Sequence, residues 1–410
     1  MDTLTHMLAG AVLGELTTRL QAGGQNGPLP ANMQRGMFLC LGVIGSNLPD
    51  SDFLYSLITG SKLDYLLHHR GHTHTLIGAL LGSLIMIAVC EAWMRRRKLQ
   101  ATRPDRYWLY GLALLTPLLH IAMDSTNTYG VHPFWPFDNR WRYGDAVFIM
   151  EPLFWVAVVP LLFVLQSWPA RGLIVLMTLA AGTWLLNLGL IPLALGLSLI
   201  FFIAAMAAVG YFLPPRTALV VSVGTWAGIT VLFMLAHSVA QARVATFVGE
   251  RYPAATMLNQ MLSPMPANPL CWEVILAQAE SDRYALRRAM LSIAPAWIPA
   301  ARCPQRRLDD ATTIPLSKVA QAGADDWQWH GEYAMPRDRL SHLVATRCEA
   351  AAFMRFARAP WASMIDGQWI LGDMRYDREP ELGFSEIALA PDEHCPAHVP
   401  PWVPPTYSDR

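Results

Sequence analysis

The sequence predicts a mainly α protein, a polytopic helical membrane bundle followed by a C-terminal soluble α+β domain. Three observations lead there. Of 410 residues, 53% are hydrophobic and only 15% charged, whereas soluble proteins carry about 25% charged residues. The mean hydropathy is +0.27. Long uncharged runs fill the middle of the chain, and beyond them Asp, Arg, Pro and Trp become common. The 31 basic and 31 acidic residues cancel, so nothing in the charge balance calls for a nucleic-acid partner, and none is expected.

Each element follows from its own stretch. Asp2 stands where a secretory signal would carry positive charge, and the apolar stretch after His6 is short, so the N-terminus is expected to belong to the fold. Residues 7–16 and 37–48 fall short of a crossing; they read as short helices, a re-entrant pair or core helices of the bundle. Residues 75–94, 107–123 and 146–166 are candidate crossings, each interrupted by a polar residue or two. Residues 172–215 contain no Asp, Glu, Lys, Arg or His and are long enough for two crossings at about 20 residues each, with a break at Ile191-Pro192. Residues 217–236 make one more. The boundary is expected near residues 237–243, giving a membrane domain over 1–240 and a soluble domain over 241–410.

Basic residues set the orientation. Arg95, Arg96, Arg97, Lys98, Arg103 and Arg106 crowd one loop with only Asp105 against them, which marks it as cytoplasmic. Alternation then puts residues 124–145 outside, Arg171 and Arg216 inside, and the soluble domain on the periplasmic face of a bacterial inner membrane. Arg140 and Arg142 run against this. Cys271, Cys303, Cys348 and Cys395 all fall in the soluble domain, where they form two disulfides in one of three pairings or remain four separate thiols.

The chemistry gathers in the first third of the chain. His6, the Asp50 and Asp52 pair, the run His68-His69-Arg70-Gly71-His72-Thr73-His74, and His120 with Asp124 are metal-ligand residue types arriving from separate segments. His120 and Asp124 are four apart in an apolar segment, so on a helix they share one face, and ionisable groups inside membrane helices are functional by default. A hydrogen-bonded pair plugging the bundle is the plainer alternative. His6 reads equally as a cap, and Asp50 and Asp52, following Pro49, as caps of the next helix. If 7–16 and 37–48 run to the cytoplasm and back, all these groups reach one face of the membrane.

In the soluble part, 327–330 and 368–371 read as strands, 272–290 as a helix, and the Pro-rich residues 396–405 as an extended tail.

Together, MDTLTH, SNLPDSD, HRGHTHT, HIAMDSTNTYG with the following HPFWPF, and YGDAVFIMEP resemble the YdjM-like, LexA-regulated, membrane-bound metal-dependent hydrolases of bacteria. In the soluble part MPANPLCWEVI, FMRFARAPW and GDMRYD look like that family's C-terminal region. The resemblance covers most of the chain and implies a metal-dependent hydrolase linked to the SOS response, without fixing a substrate. A more distant similarity is to zinc-dependent phospholipase C and P1-type nucleases, whose HxxxD pair His120 and Asp124 match. By that analogy His6, Asp50 or Asp52, and His69 or His74 complete the ligand set. Met1 stands where those enzymes have a ligating Trp, so one or two ions are implied, zinc first, with manganese or iron as alternatives.

The chemistry implied is metal-assisted hydrolysis of a phosphoester or lipid-linked substrate, with Asp50 as general base and Arg70 pairing with a phosphate oxygen or holding a turn. Asn127, Tyr129 and His132 are further pocket candidates. Asp145 and Glu151 read as dipole partners at the start of the next helix. Two rival readings use the same cluster: a transporter or ion pathway, and a non-enzymatic envelope-stress protein with a structural metal. The later helices carry few polar groups beyond Asn187, which argues against an ion route.

Overall fold

The computed structural model describes residues 1–21, 29–304, 314, 316–319, 324–377, 382–389 and 395–406. They divide into two compact units: Met1–Ser51, His72–Trp135 and Phe148–Leu232 form one; Asp52–Gly71, Pro136–Val147 and Phe233–Arg410 form the other.

The first unit is helical. α1 (Thr3–Gln21) and α2 (Ala31–Gly45) pack as an antiparallel pair, so the two short apolar stretches are core helices. Glycine makes this possible: a Cβ on Gly10 would strike the carbonyl of Gly42, and one on Gly14 the backbone of Phe38, so the backbones approach as small residues allow in membranes. α3 (Phe53–Thr59) and α4 (Lys62–His68) come next in sequence but belong to the second unit. α5 (Leu76–Arg96) and α6 (Arg103–Asp124) then close on α2 around Phe38, Leu41, Met86, Leu109, Leu112 and Ala113. Thr102 and Asp105 form a capping box that starts α6.

Residues 146–166, expected as one crossing, form two short helices, α7 (Pro152–Ala157) and α8 (Leu161–Val164). Pro160 has no N–H for an intact helix, and the chain breaks there. The segment still runs beside α1 as far as Glu15. Asp2 N–H donates to Ile149 O near the start of α1, Trp155 Nε1 to Thr5 Oγ1, and Arg35, paired with Glu15, reaches Val164 O. From Asp2 to Glu15 is about 20 Å at 1.5 Å per residue.

α9 (Trp168–Asn187), α10 (Leu193–Phe212) and α11 (Pro215–Arg251) follow, with the break at Ile191-Pro192 where the sequence put it. With α5 they are the four described helices long and apolar enough to cross a membrane. The helix directions give the first unit two chemically distinct ends. At one, Gln21 and Gln34 both donate to Asp105 beside the Arg95–Arg106 loop; at the other lie the starts of α1 and α5 and the end of α6.

The second unit is α+β. β1 (Thr256–Met265), β2 (Asn268–Glu280), β3 (Arg283–Ser292) and β4 (Trp327–Pro336) form an antiparallel sheet in that order. α12 (Arg337–Thr346) and α13 (Cys348–Phe353) lead to a second sheet of β5 (Pro360–Ile365), β6 (Gln368–Asp373) and β7 (Glu386–Ala388). The strands expected at 327–330 and 368–371 lie in β4 and β6. The helix expected over 272–290 is instead the β2–β3 hairpin. Both faces of these strands are buried, so the run Val274-Ile275-Leu276-Ala277 lacks the alternation that marks a half-buried strand.

Disulfides join Cys271 to Cys303 and Cys348 to Cys395. The Pro-rich tail is extended but not loose: Trp402 is fully buried and its Nε1 donates to Leu67 O at 2.8 Å. Asp145 does not start a helix. It has φ 51° and forms a two-pronged ion pair with Arg358 at 2.7 and 2.9 Å. Glu151 caps α7 by accepting from Leu153 N–H.

Candidate metal centre

Four side chains from three segments meet at one end of the first unit. Asp50 comes from the 3-10 turn Pro49–Asp52 after α2, His74 from the 3-10 turn His72–His74 before α5, and His120 and Asp124 from the last turn of α6. One ligand atom from each lies within 4.8 Å of all the others. His74 Nε2 is 3.0 Å from His120 Nε2, 3.3 Å from Asp50 Oδ1 and 3.3 Å from Asp124 Oδ2. His120 Nε2 is 3.5 Å from Asp50 Oδ1 and 3.3 Å from Asp124 Oδ2. A tetrahedral zinc site with bonds of about 2.0–2.1 Å has ligand-to-ligand edges of about 3.3 Å. These residues therefore fit a divalent ion in both donor type and spacing.

Hydrogen bonding fixes the tautomer of His120. Its Nδ1–H donates to Ser46 O at 2.6 Å, which leaves the Nε2 lone pair facing the cluster, as a metal ligand requires. The second imidazole points its own Nε2 at the same spot, and two lone pairs 3.0 Å apart repel unless a cation or a proton stands between them. Burial opposes a charge on Asp50, but when the His120 and His74 rings are protonated they donate to its carboxylate and attract it, which holds its carboxyl well below the usual carboxylate range. His74, His120 and Asp124 are fully buried, while the Asp50 side chain is 18% exposed, so the cluster opens on the Asp50 side.

His6 stands one step back. Its Nε2 meets Asp124 Oδ1, the oxygen turned away from His74 and His120, at 3.1 Å, and its ring stacks on His120 with centroids 3.7 Å apart. The α-amino group of Met1 also packs on Asp124 Oδ1. Asn127 and Tyr129 form a buried turn after α6, in which Asn127 Oδ1 accepts from Tyr129 N–H, and His132 is buried beyond it. Ser46, which opens SNLPDSD, acts through its backbone carbonyl, a role that its side-chain type does not mark.

Asp52, His69 and Arg70 belong to the second unit. Asp52 Oδ1 lies 3.0 Å from His69 Nδ1, and Asp52 Oδ2 accepts from Arg70 N–H at 2.8 Å. Arg70 has φ 59°, is buried, and acts electrostatically on the buried Tyr376.

Comparison with known proteins fits this picture. Residues 1–198 match the family described as YdjM inner membrane protein. The chain is 28% identical over 157 residues to the uncharacterized protein YfhP of Bacillus subtilis (strain 168), covering 38% of this chain and 44% of that protein. It is 29% identical over 155 residues to the inner membrane protein YbcI of Escherichia coli (strain K12), covering 32% of this chain and 84% of that one. The chain thus spans less than half the length of the first of these relatives. No solved structure matches. Through residues 1–198 the chain is thus similar to the YdjM inner membrane protein family.

Proposed function

We propose that this protein is a multi-pass inner-membrane hydrolase whose His74, His120 and Asp124 hold one divalent ion, zinc first among candidates, with Asp50 beside it. The observation that carries the reading is the pair of imidazole Nε2 atoms facing each other 3.0 Å apart between two carboxylates. Catalytic zinc sites keep three protein ligands and one open position. The three fully buried groups serve as the fixed ligands, and the partly exposed Asp50 stands at the open side, where it takes a proton from the attacking water. When bound, the ion lowers the pKa of water and polarises the scissile ester. His6 orients Asp124 from behind, as outer-shell partners of metal ligands do.

The substrate class is a phosphoester or lipid-linked molecule, because the cluster lies at one end of a membrane bundle rather than along a route through it. The basic Arg95–Arg106 loop at the opposite end supports a cytoplasmic side there and a periplasmic side for the cluster. The two disulfides support the same side for the C-terminal unit, since disulfides persist in oxidising compartments.

The test is turnover by metal-loaded protein in nanodiscs on a panel of phosphodiester and phosphomonoester lipids. Activity abolished by chelation, restored by zinc, and lost in Asp50→Asn while the metal stays bound supports the reading. Metal-loaded protein that cleaves nothing but moves protons or ions across liposomes overturns it.

A further inference from the structure

α3 has no buried residue, and it exposes Phe53, Leu54, Leu57 and Ile58, the last two at 69% and 85%. Phe53 with Leu57, and Leu54 with Ile58, are spaced four apart, so the four form one continuous apolar face. Tyr55 holds the other side, its ring 4.1 Å from that of His68. No charged residue occurs from Phe53 to Ser61. A seven-residue helix with its apolar face in water has little reason to form. An apolar medium removes that objection, and the bilayer is one this chain already occupies. Seven residues rise only about 10 Å, too short to cross, so α3 can only lie along the membrane surface.

We propose that α3 lies in the interfacial layer of the bilayer, with its apolar face of Phe53, Leu54, Leu57 and Ile58 in contact with lipid acyl chains.

The test uses the full chain in phosphatidylcholine and phosphatidylglycerol nanodiscs, with Cys40→Ser and Cys90→Ser removing the free thiols and an environment-sensitive fluorophore attached at Ile58→Cys. Asp366→Cys, on the exposed β5–β6 turn, is the aqueous control. The proposal expects blue-shifted emission at position 58, quenched severalfold more by doxyl-labelled lipid than by iodide, and the reverse at 366. Iodide quenching at 58 equal to the control overturns it. Protection from both quenchers also overturns it, because a protein partner or a second copy then covers the face.

Discussion

A single residue pair decides the chemistry of the cluster. With Nε2 of His74 and His120 facing each other, acid should empty the site: both rings must be neutral to bind, so retention falls as pH drops and the rings protonate. Equilibrium dialysis over a descending pH series measures this, and retention unchanged into strong acid would show that the rings are not ligands. The same end-to-end logic applies to the buried Glu15–Arg35 pair, bonded at 2.8 and 2.5 Å. Arg35→Ala leaves Glu15 charged and buried, and should cost about 3–5 kcal/mol in detergent unfolding. Pairing it with Glu15→Gln should recover most of the loss.

His120 with Asp124 was legible in the sequence because a long helix fixes what four residues apart means. The other ligands were not separable that way. Asp50 and Asp52 sit in one 3-10 turn, where two residues differ by about 240° around the axis, so one faces the first unit's cluster and the other pairs with His69. Likewise the HHRGHTH run passes through Arg70 at φ 59° and divides its histidines between the two units. A backbone reversal of that kind has no signature beyond the neighbouring Gly71.

Among elements, the α1–α2 pair sets the scaffold on which three ligand segments stand. Gly10→Val would drive two methyl groups into the Gly42 backbone and should destabilise the bundle by about 1–3 kcal/mol or more, as overpacking does. Thermal unfolding with metal content read in parallel checks it; an unchanged melting temperature would contradict the close approach. Uncharged runs gave the long crossings correctly because length alone distinguishes them. The β2–β3 hairpin escaped because burial on both faces erases period-two alternation, and α7 with α8 escaped because an apolar stretch reads as a crossing whether or not Pro160 divides it.

In the whole molecule, the second unit is discontinuous in sequence. Trp141 Nε1 donates to Arg355 O, the Asp145–Arg358 ion pair joins residues 213 apart, and Tyr143 packs 3.8 Å under Arg358. A fragment comprising residues 233–410 should therefore lack a cooperative unfolding transition, because Arg358 and Trp402 lose their partners from residues 52–71 and 136–147. A sharp calorimetric transition in that fragment would contradict this. Such long-range partnerships are invisible to periodicity, which reports only on neighbours along the chain.

The central claim is that His74, His120 and Asp124 hold one metal ion with Asp50 beside it. Elemental analysis of detergent-purified protein, beside His120→Ala and Asp124→Ala, tests it most directly. The account predicts near-stoichiometric zinc, manganese or iron in the unmodified protein and its loss in both variants, with the fold retained by circular dichroism. Metal-free protein after chelator-free purification, or equal metal in all three, would contradict it.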